Sequence, residues 1–323
     1  MDDETRVALF APHPLLTVTI EAEGPARESV HFHAGGQGVW VAASARCMGA
    51  TPVFCGFLGG EPGGLLRALL AESVGPETHL VSTASASGCY VVDRRKGTRE
   101  PVAVSLSDPP GRHELDELCS LAIAHAADCG WLVVTNPLPA ESLPLEVYRD
   151  VVADARAAGA TTLVDLSSPR LDSALASEPD LVKINDWELA EFVRGPVAEP
   201  ADLLDGARRV QDAGARRVVV TRGELPALVL DGGQAFELVP PCFQRGFREG
   251  CGDAMLGALA AVWAAQDDLP AALVQGAAAG AANFLRRGIG RASREVVDEL
   301  GARVALGAWP VPELRVSRRA EEA

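Results

Sequence analysis

The sequence predicts an α/β fold: a doubly wound, mostly parallel sheet flanked by helices, with a small β-sheet lid. Two observations lead there. Short apolar runs of β type alternate with helix-type segments over most of the 323 residues. Strands that pair in parallel beneath helices on both faces give this pattern. Two regions, at about 15–34 and 88–106, break the alternation and have no helix to pair with.

In chain order, the first of these regions holds strand-like Leu15–Glu21 and Val30–Ala34 about a Gly24-Pro25 turn. Val53–Phe57 then reads as a short buried strand. The second region is strand-like on both sides of the charged turn Asp93-Arg94-Arg95-Lys96-Gly97. Both regions are expected to form antiparallel strands of a second sheet, placed as a lid over the crevice at the strand ends. Trp131–Thr135, Thr162–Asp165, Leu181–Lys183 and Val218–Thr221 read as further buried strands. A helix over about 145–158 carries Val147, Val151 and Ala155 as an i, i+4 stripe, and one over about 201–213 stops at Gly214. From Gly252 to Arg287 the chain is expected to be nearly all helical, with Met255, Leu256, Leu259 and Trp263 on one face. The tail after Pro310 is polar and expected to fray. The whole of 1–323 reads as a single domain with the lid strands inserted.

Hydrophobic residues make up 48% of the chain, enough to bury a large core without disulfides or metals. The net charge of −15 repels nucleic-acid backbones and anionic membranes. The acidic start, Met1-Asp2-Asp3-Glu4, lacks the basic and apolar regions of a signal peptide, and no stretch is apolar enough to span a bilayer. A cytoplasmic location is expected. Seven cysteines without a C-x-x-C pair read mostly as small buried hydrophobes in a reducing compartment. His31 and His33 share one strand face, but two ligands without a third make a weak metal site.

The strongest chemical signal is Gly250-Cys251-Gly252-Asp253 opening a helix. Glycines let the backbone turn tightly and leave amides exposed at a helix N-terminus, where negative charge is stabilised. A carboxylate there can take a hydroxyl proton while the amides steady a transferring phosphoryl group. Alone, Asp253 reads more readily as a helix cap than as a catalytic base. Gly35, Gly36, Gln37 and Gly38 precede an amphipathic helix and suit close approach of a sugar, or a plain turn. Asn185 and Glu188, three apart after a buried strand, can position magnesium waters or phosphate oxygens; they also fit an ordinary capping box. Thr221 and Gly223 at a strand end suit a nucleotide phosphate, or again a turn.

Order and spacing raise these readings together. The chain resembles the PfkB carbohydrate kinases, nearest the branch that holds 1-phosphofructokinase and tagatose-6-phosphate kinase. The likeness rests on AGGQGVWVAASARCMGA from Ala34, GFLGGEPG from Gly56, DLVKINDWELAEF from Asp180, VVVTRGELPALVL from Val218 and GCGDAMLGALAA from Gly250. It implies a ribokinase-like fold and an ATP- and Mg2+-dependent kinase acting on a hexose phosphate. Asp253 would be the general base, with Gly250, Cys251 and Gly252 as the anion hole. Asn185 and Glu188 would handle magnesium and phosphate, the metal through water, and Lys183 sits at the family's K-P-N position. Thr221 and Gly223 would bind nucleotide and Asn283 would wall the adenine. Asp165 would lie near the phosphates. Gly35, Gly36 and Gly38 would serve the sugar.

The acceptor side departs from that pattern. Thr17 stands where an acid usually grips sugar hydroxyls, in His13-Pro14-Leu15-Leu16-Thr17, and Gln37 replaces a lysine. Cys251 replaces an alanine and Glu249 stands where threonine is usual. A charge-assisted hydrogen bond is worth roughly 1.5–3 kcal/mol, so these changes alter acceptor preference. Arg94 and Arg99 on the lid are candidate replacement cations for a phosphorylated acceptor. Two other readings stand beside the sugar-phosphate kinase: a kinase of an unphosphorylated sugar or nucleoside, favoured by Gln37, and a binder without turnover. A homodimer through exposed lid strands is also expected.

Overall fold

The computed structural model describes residues 4–24, 27–286 and 292–310. Pro25, Arg287 and the expected frayed tail lie outside these.

The chain opens with β1 (Arg6–Phe10) and leaves the main sheet for a hairpin, β2 (Leu15–Gly24) and β3 (Arg27–Gly35). It returns through α1 (Gln37–Cys47) to β4 (Thr51–Leu58), α2 (Gly60–Val74) and β5 (Thr78–Ser82). A second excursion forms β6 (Cys89–Asp93) and β7 (Glu100–Ser105). The alternating part continues through α3 (Arg112–Cys129), β8 (Trp131–Thr135), α4 (Glu146–Ala157), β9 (Thr161–Asp165) and α5 (Arg170–Leu175). Next come β10 (Leu181–Asn185), α6 (Asp186–Val193), α7 (Pro200–Asp212) and β11 (Arg217–Arg222). Two strands, β12 (Leu225–Asp231) and β13 (Gln234–Val239), precede α8 (Cys251–Gln266) and α9 (Leu269–Phe284). α10 (Arg294–Gly301) and β14 (Ala305–Ala308) follow.

Among the described residues the main sheet has ten strands, ordered β14-β13-β12-β11-β10-β9-β8-β1-β4-β5. Every adjacent pair from β11 to β5 is parallel. The β11–β14 flank is antiparallel. Successive side chains point to opposite faces, so each central strand feeds two cores. Val7 and Leu9 pack beneath α1, α8 and α9, while Ala8 and Phe10 pack with α3 and α4 residues such as Leu118 and Tyr148. The expected buried strands all form.

The lid is a four-stranded sheet ordered β3-β2-β6-β7. Each hairpin is antiparallel, but β2 and β6 run parallel where antiparallel pairing was expected. The two hairpins meet through residues far apart in sequence, and no local turn fixes their relative direction. Thr17, Tyr90 and Val104 fall in one register row, so they share a face of the lid.

α8 is buried on all sides from Ala254 to Trp263, not on one face as its spacing suggested, because it is sandwiched between α1 and α9. Gly257 permits this: a Cβ there would overlap the Val41 carbonyl of α1. The cysteine expectation also needs correction. All seven are free, but only Cys55 is buried, Cys242 is exposed and the others are half-buried. No helix of the described residues is long and apolar enough to cross a membrane.

Candidate active site

The C-terminal ends of the central parallel strands carry two registered pairs of polar residues. Thr135 of β8 is in register with Asp165 of β9, and Asn185 of β10 with Thr221 of β11. Lys183, on β10 beside Asp165, places its Nζ 2.7 Å from Asp165 Oδ2. Both side chains are nearly excluded from water. At the end of β10, Asn185 and Glu188 form a reciprocal capping box on α6. Asn185 Oδ1 accepts from the Glu188 amide at 2.9 Å and Glu188 Oε2 from the Asn185 amide at 3.0 Å.

The N-terminus of α8 faces these strand ends. Gly250 takes the left-handed conformation, φ 72°, that a side chain would resist. Gly252 lies against the lysine, since a Cβ on it would sit 2.7 Å from Lys183 Nζ. First-turn amides have no acceptor within the helix, so they add positive potential here. Asp253 belongs to that turn. Burial pushes its carboxyl up to about 7, and the Asp165 charge adds to the shift; Lys183 and a hydrogen bond with Gln37 oppose it. Burial works against the ammonium of Lys183, but Asp165 and Asp253 outweigh it and its pKa is raised. Burial, then Asp165, also raises the Glu188 carboxyl. Three acids thus share one buried cation.

Two cavities flank this cluster. The first lies over β11–β13, between Thr221, Gly223 and Lys183 on one side and Ala277, Ala281 and Phe284 of α9 on the other. The second lies beneath the lid, about 650 Å³ in volume, within the roughly 300–1,000 Å³ of small-molecule sites. Asp253 lines neither cavity but stands on the partition. Glu249 and Gly250 border the lid-side cavity, and Cys251 and Gly252 border the other. Gln37 reaches Asp253 from the lid side and accepts from the Asn136 amide at 2.7 Å.

The pfkB family carbohydrate kinase model matches residues 13–295. The chain belongs to the pfkB family of carbohydrate kinases. It is similar to 1-phosphofructokinase of Xanthomonas campestris pv. campestris, at 30% identity over 87% of this chain and 90% of that one. The crystal structure of phosphofructokinase-2 from Escherichia coli in complex with potassium superposes with a TM-score of 0.81. It is 25% identical and covers 93% of this chain and 99% of its own. The ribokinase of Arabidopsis thaliana, solved with ribose and ATP, shares the fold at TM-score 0.72 and 18% identity, covering 92% of this chain and 98% of its own.

As a pfkB kinase the chain draws on ATP, the family's phosphoryl donor. The cavity beside Thr221, Gly223, Lys183 and Asn185 is the one that brings the expected nucleotide residues together. Asn283 does not wall it. That side chain is 1% exposed and its Nδ2 donates to the Glu249 carbonyl at 2.8 Å, tying α9 to the loop before α8. Sequence reasoning missed the apolar wall Pro240–Phe243 and Phe284, which carry no motif.

Of the residues expected to serve the acceptor, Thr17, Gly36, Gln37 and Arg99 line the lid-side cavity. Gly35 and Gly38 do not. They make room for neighbours, since a Cβ on Gly35 would overlap Thr17 Oγ1 and one on Gly38 would overlap the Ala11 methyl. Arg94 is also outside the cavity wall; it lies 3.7 Å from Glu21 and 5.8 Å from the Phe247 ring centre. His13, Trp40, Tyr90 and Asn136 line the cavity without having been singled out as site residues.

The residues present fit a hydrated Mg2+. Glu188, Asp165 and Asp253 offer hard carboxylate oxygens around the cluster, yet no three metal-ligating groups converge among the described residues. Such a site suits a cation that keeps most of its waters.

Proposed function

We propose that the chain is an ATP-dependent sugar kinase that moves the γ-phosphoryl group to an acceptor hydroxyl, with Asp253 as the general base. The observation that carries this is the position of Asp253 on the partition between the two cavities, with a carboxyl pKa of about 7. A base serves best when its pKa lies near the working pH. Bound ATP supplies the phosphoryl group. Thr221, Gly223 and Lys183 hold its phosphates against the strand ends, and Phe284 and Ala281 cover its base. Asn185 and Glu188 would hold Mg2+ through water, and the metal would offset charge on the phosphates. The acceptor oxygen bonds the γ-phosphorus as the bond to the leaving diphosphate breaks, and Asp253 keeps the hydroxyl proton. Gly250, Cys251 and Gly252 steady the charge on the moving group through the α8 N-terminus. Of their amides, that of Cys251 makes a long 3.4 Å bond to the Arg248 carbonyl.

Asp253→Asn is the test. Turnover should fall about 10²–10⁴-fold, the usual size of a general-base contribution, with ATP binding unchanged in calorimetry. Near-normal turnover would remove the assignment.

A second copy of the chain is the proposed protein partner, docking on the lid. Val30 and Phe32 are about half exposed on the edge strand β3, as is Val102 on β7. Exposed apolar edges invite pairing. Phe32→Asp should lower the sedimentation coefficient to that of a monomer; a wild type that already sediments as one would exclude the dimer.

A further inference from the structure

The lid-side cavity has one cation and one anion among its described lining residues, Arg99 and Glu249. They are spent on each other, for the Arg99 guanidinium donates to the Glu249 carboxylate across 150 positions of sequence. Arg99 also lies over the Tyr90 ring, 5.2 Å from its centre, and its side chain is only 16% exposed. Arg94 is engaged elsewhere, and Lys183 belongs to the other cavity. The remaining polar groups are uncharged. Thr17 and Gln37 line it without charge, and Gln37 stands where a lysine could have met a phosphate. His13 is neutral, because burial lowers its pKa to about 4, and its Nε2 is buried without a hydrogen-bond partner. Trp40, Leu106 and Leu138 supply apolar wall.

The charged side chains of the cavity wall are therefore paired with each other before any ligand enters. A phosphate group brings about −1.5 to −2 charges. To reach Arg99 it would have to displace a carboxylate already bound there, then remain beside that carboxylate. Like charges so placed are strongly unfavourable. Hydroxyl groups meet no such obstacle, and Thr17 and the unpartnered nitrogen of His13 can exchange hydrogen bonds with them.

We propose that the acceptor is an uncharged polyhydroxylated molecule of the free-sugar class, and that Glu249 excludes phosphorylated acceptors by occupying Arg99. This rests on the kinase reading of the same site. It departs from the hexose phosphate expected from the sequence resemblance.

The test compares matched pairs, fructose with its 1- and 6-phosphates and ribose with its 5-phosphate, in the wild type and in Glu249→Gln. Glu249 is half exposed, so the variant should fold. Wild-type kcat/KM should favour the unphosphorylated member by about tenfold or more, and Glu249→Gln should raise the phosphorylated member's value about tenfold by freeing Arg99. Adding Arg99→Gln should erase that gain. A wild type that prefers phosphorylated members, or a ratio unmoved by Glu249→Gln, overturns the proposal. Calorimetric binding of the same pairs gives the ranking without turnover. If the free sugars bind in preference and none is phosphorylated, the assignment of the ligand class stands and the kinase reading falls.

Discussion

Lys183 Nζ lies 2.7 Å from Asp165 Oδ2, and the two side chains are 5% and 2% exposed. The pair ties β10 to β9 at the floor of the site. Its attraction is largely offset by the cost of taking both charges out of water, so its removal as a unit is mild, whereas removing one partner strands the other. Lys183→Met should therefore destabilise the protein by about 3–5 kcal/mol in urea unfolding. Adding Asp165→Leu should recover most of that loss. Equal stability of the single and double variants would show that Asp165 finds another partner.

The Asp253 carboxyl gives a pH dependence of definite sign. Its folded pKa, about 7, lies above the ordinary carboxylate value, chiefly through burial. Between these values the folded chain holds a proton that the unfolded chain has released. The stability so contributed is complete below the unfolded pKa and is lost as pH rises through 7, at up to about 1.4 kcal/mol per pH unit. Asp253→Asn should raise Tm over wild type most at pH 8, by a smaller margin at pH 5, and show little difference below pH 4. Activity runs the other way, since the base must be ionised, so log kcat/KM should climb with pH and level off above about 7. A flat profile from pH 5 to 8 would remove Asp253 as the titrating base.

Gly252 leaves room for the lysine. An alanine Cβ would lie 2.7 Å from Nζ and 3.3 Å from Cε of Lys183. The obstruction is the end of a side chain, so the fold should survive while the ammonium shifts from its place on the cavity over β11–β13. Gly252→Ala is expected to raise the KM for ATP about tenfold or more with little change in Tm, since one charge-assisted hydrogen bond is worth roughly 1.5–3 kcal/mol. An unchanged KM would show that Lys183 does not need its present position.

The sequence made the central strands legible because each is a short apolar run bounded by turns, as in Val218–Thr221. It hid the parallel pairing of Leu16–Ile20 with Cys89–Asp93, whose register joins segments about 70 positions apart. The same divide runs through the site. Asp253 and the glycines before it were readable because loop, helix start and acid are contiguous. The Arg99–Glu249 contact was not, since neither residue's surroundings announce the other. The motif containing Gly35–Gly38 was recognised, but it could not separate glycines that border the cavity from those that admit Thr17 and Ala11. Asn283 was misplaced for a related reason: its helix borders the cavity over β11–β13, and only the rotation of that helix decides which side chains face in.

That rotation makes Asn283 a positioning residue. Its Nδ2 donates to the Glu249 carbonyl at 2.8 Å and lies 3.6 Å from Cys251 Sγ. It holds the loop that carries Gly250 and Cys251 and leads directly to Asp253. Asn283→Ala leaves that part-buried carbonyl without this donor, at a cost of about 0.5–1.5 kcal/mol. The loop should loosen, and with it the placing of the α8 amides and of Asp253 against the acceptor. We therefore expect kcat to fall about tenfold or more while the KM for ATP stays within about twofold, because only the orientation of the reacting groups is disturbed. Asn283→Asp should be worse than alanine, since it sets an acceptor against a carbonyl oxygen. A residue that touched the adenine would give the reverse split, with KM for ATP rising and kcat preserved, and that outcome would return Asn283 to the cavity wall.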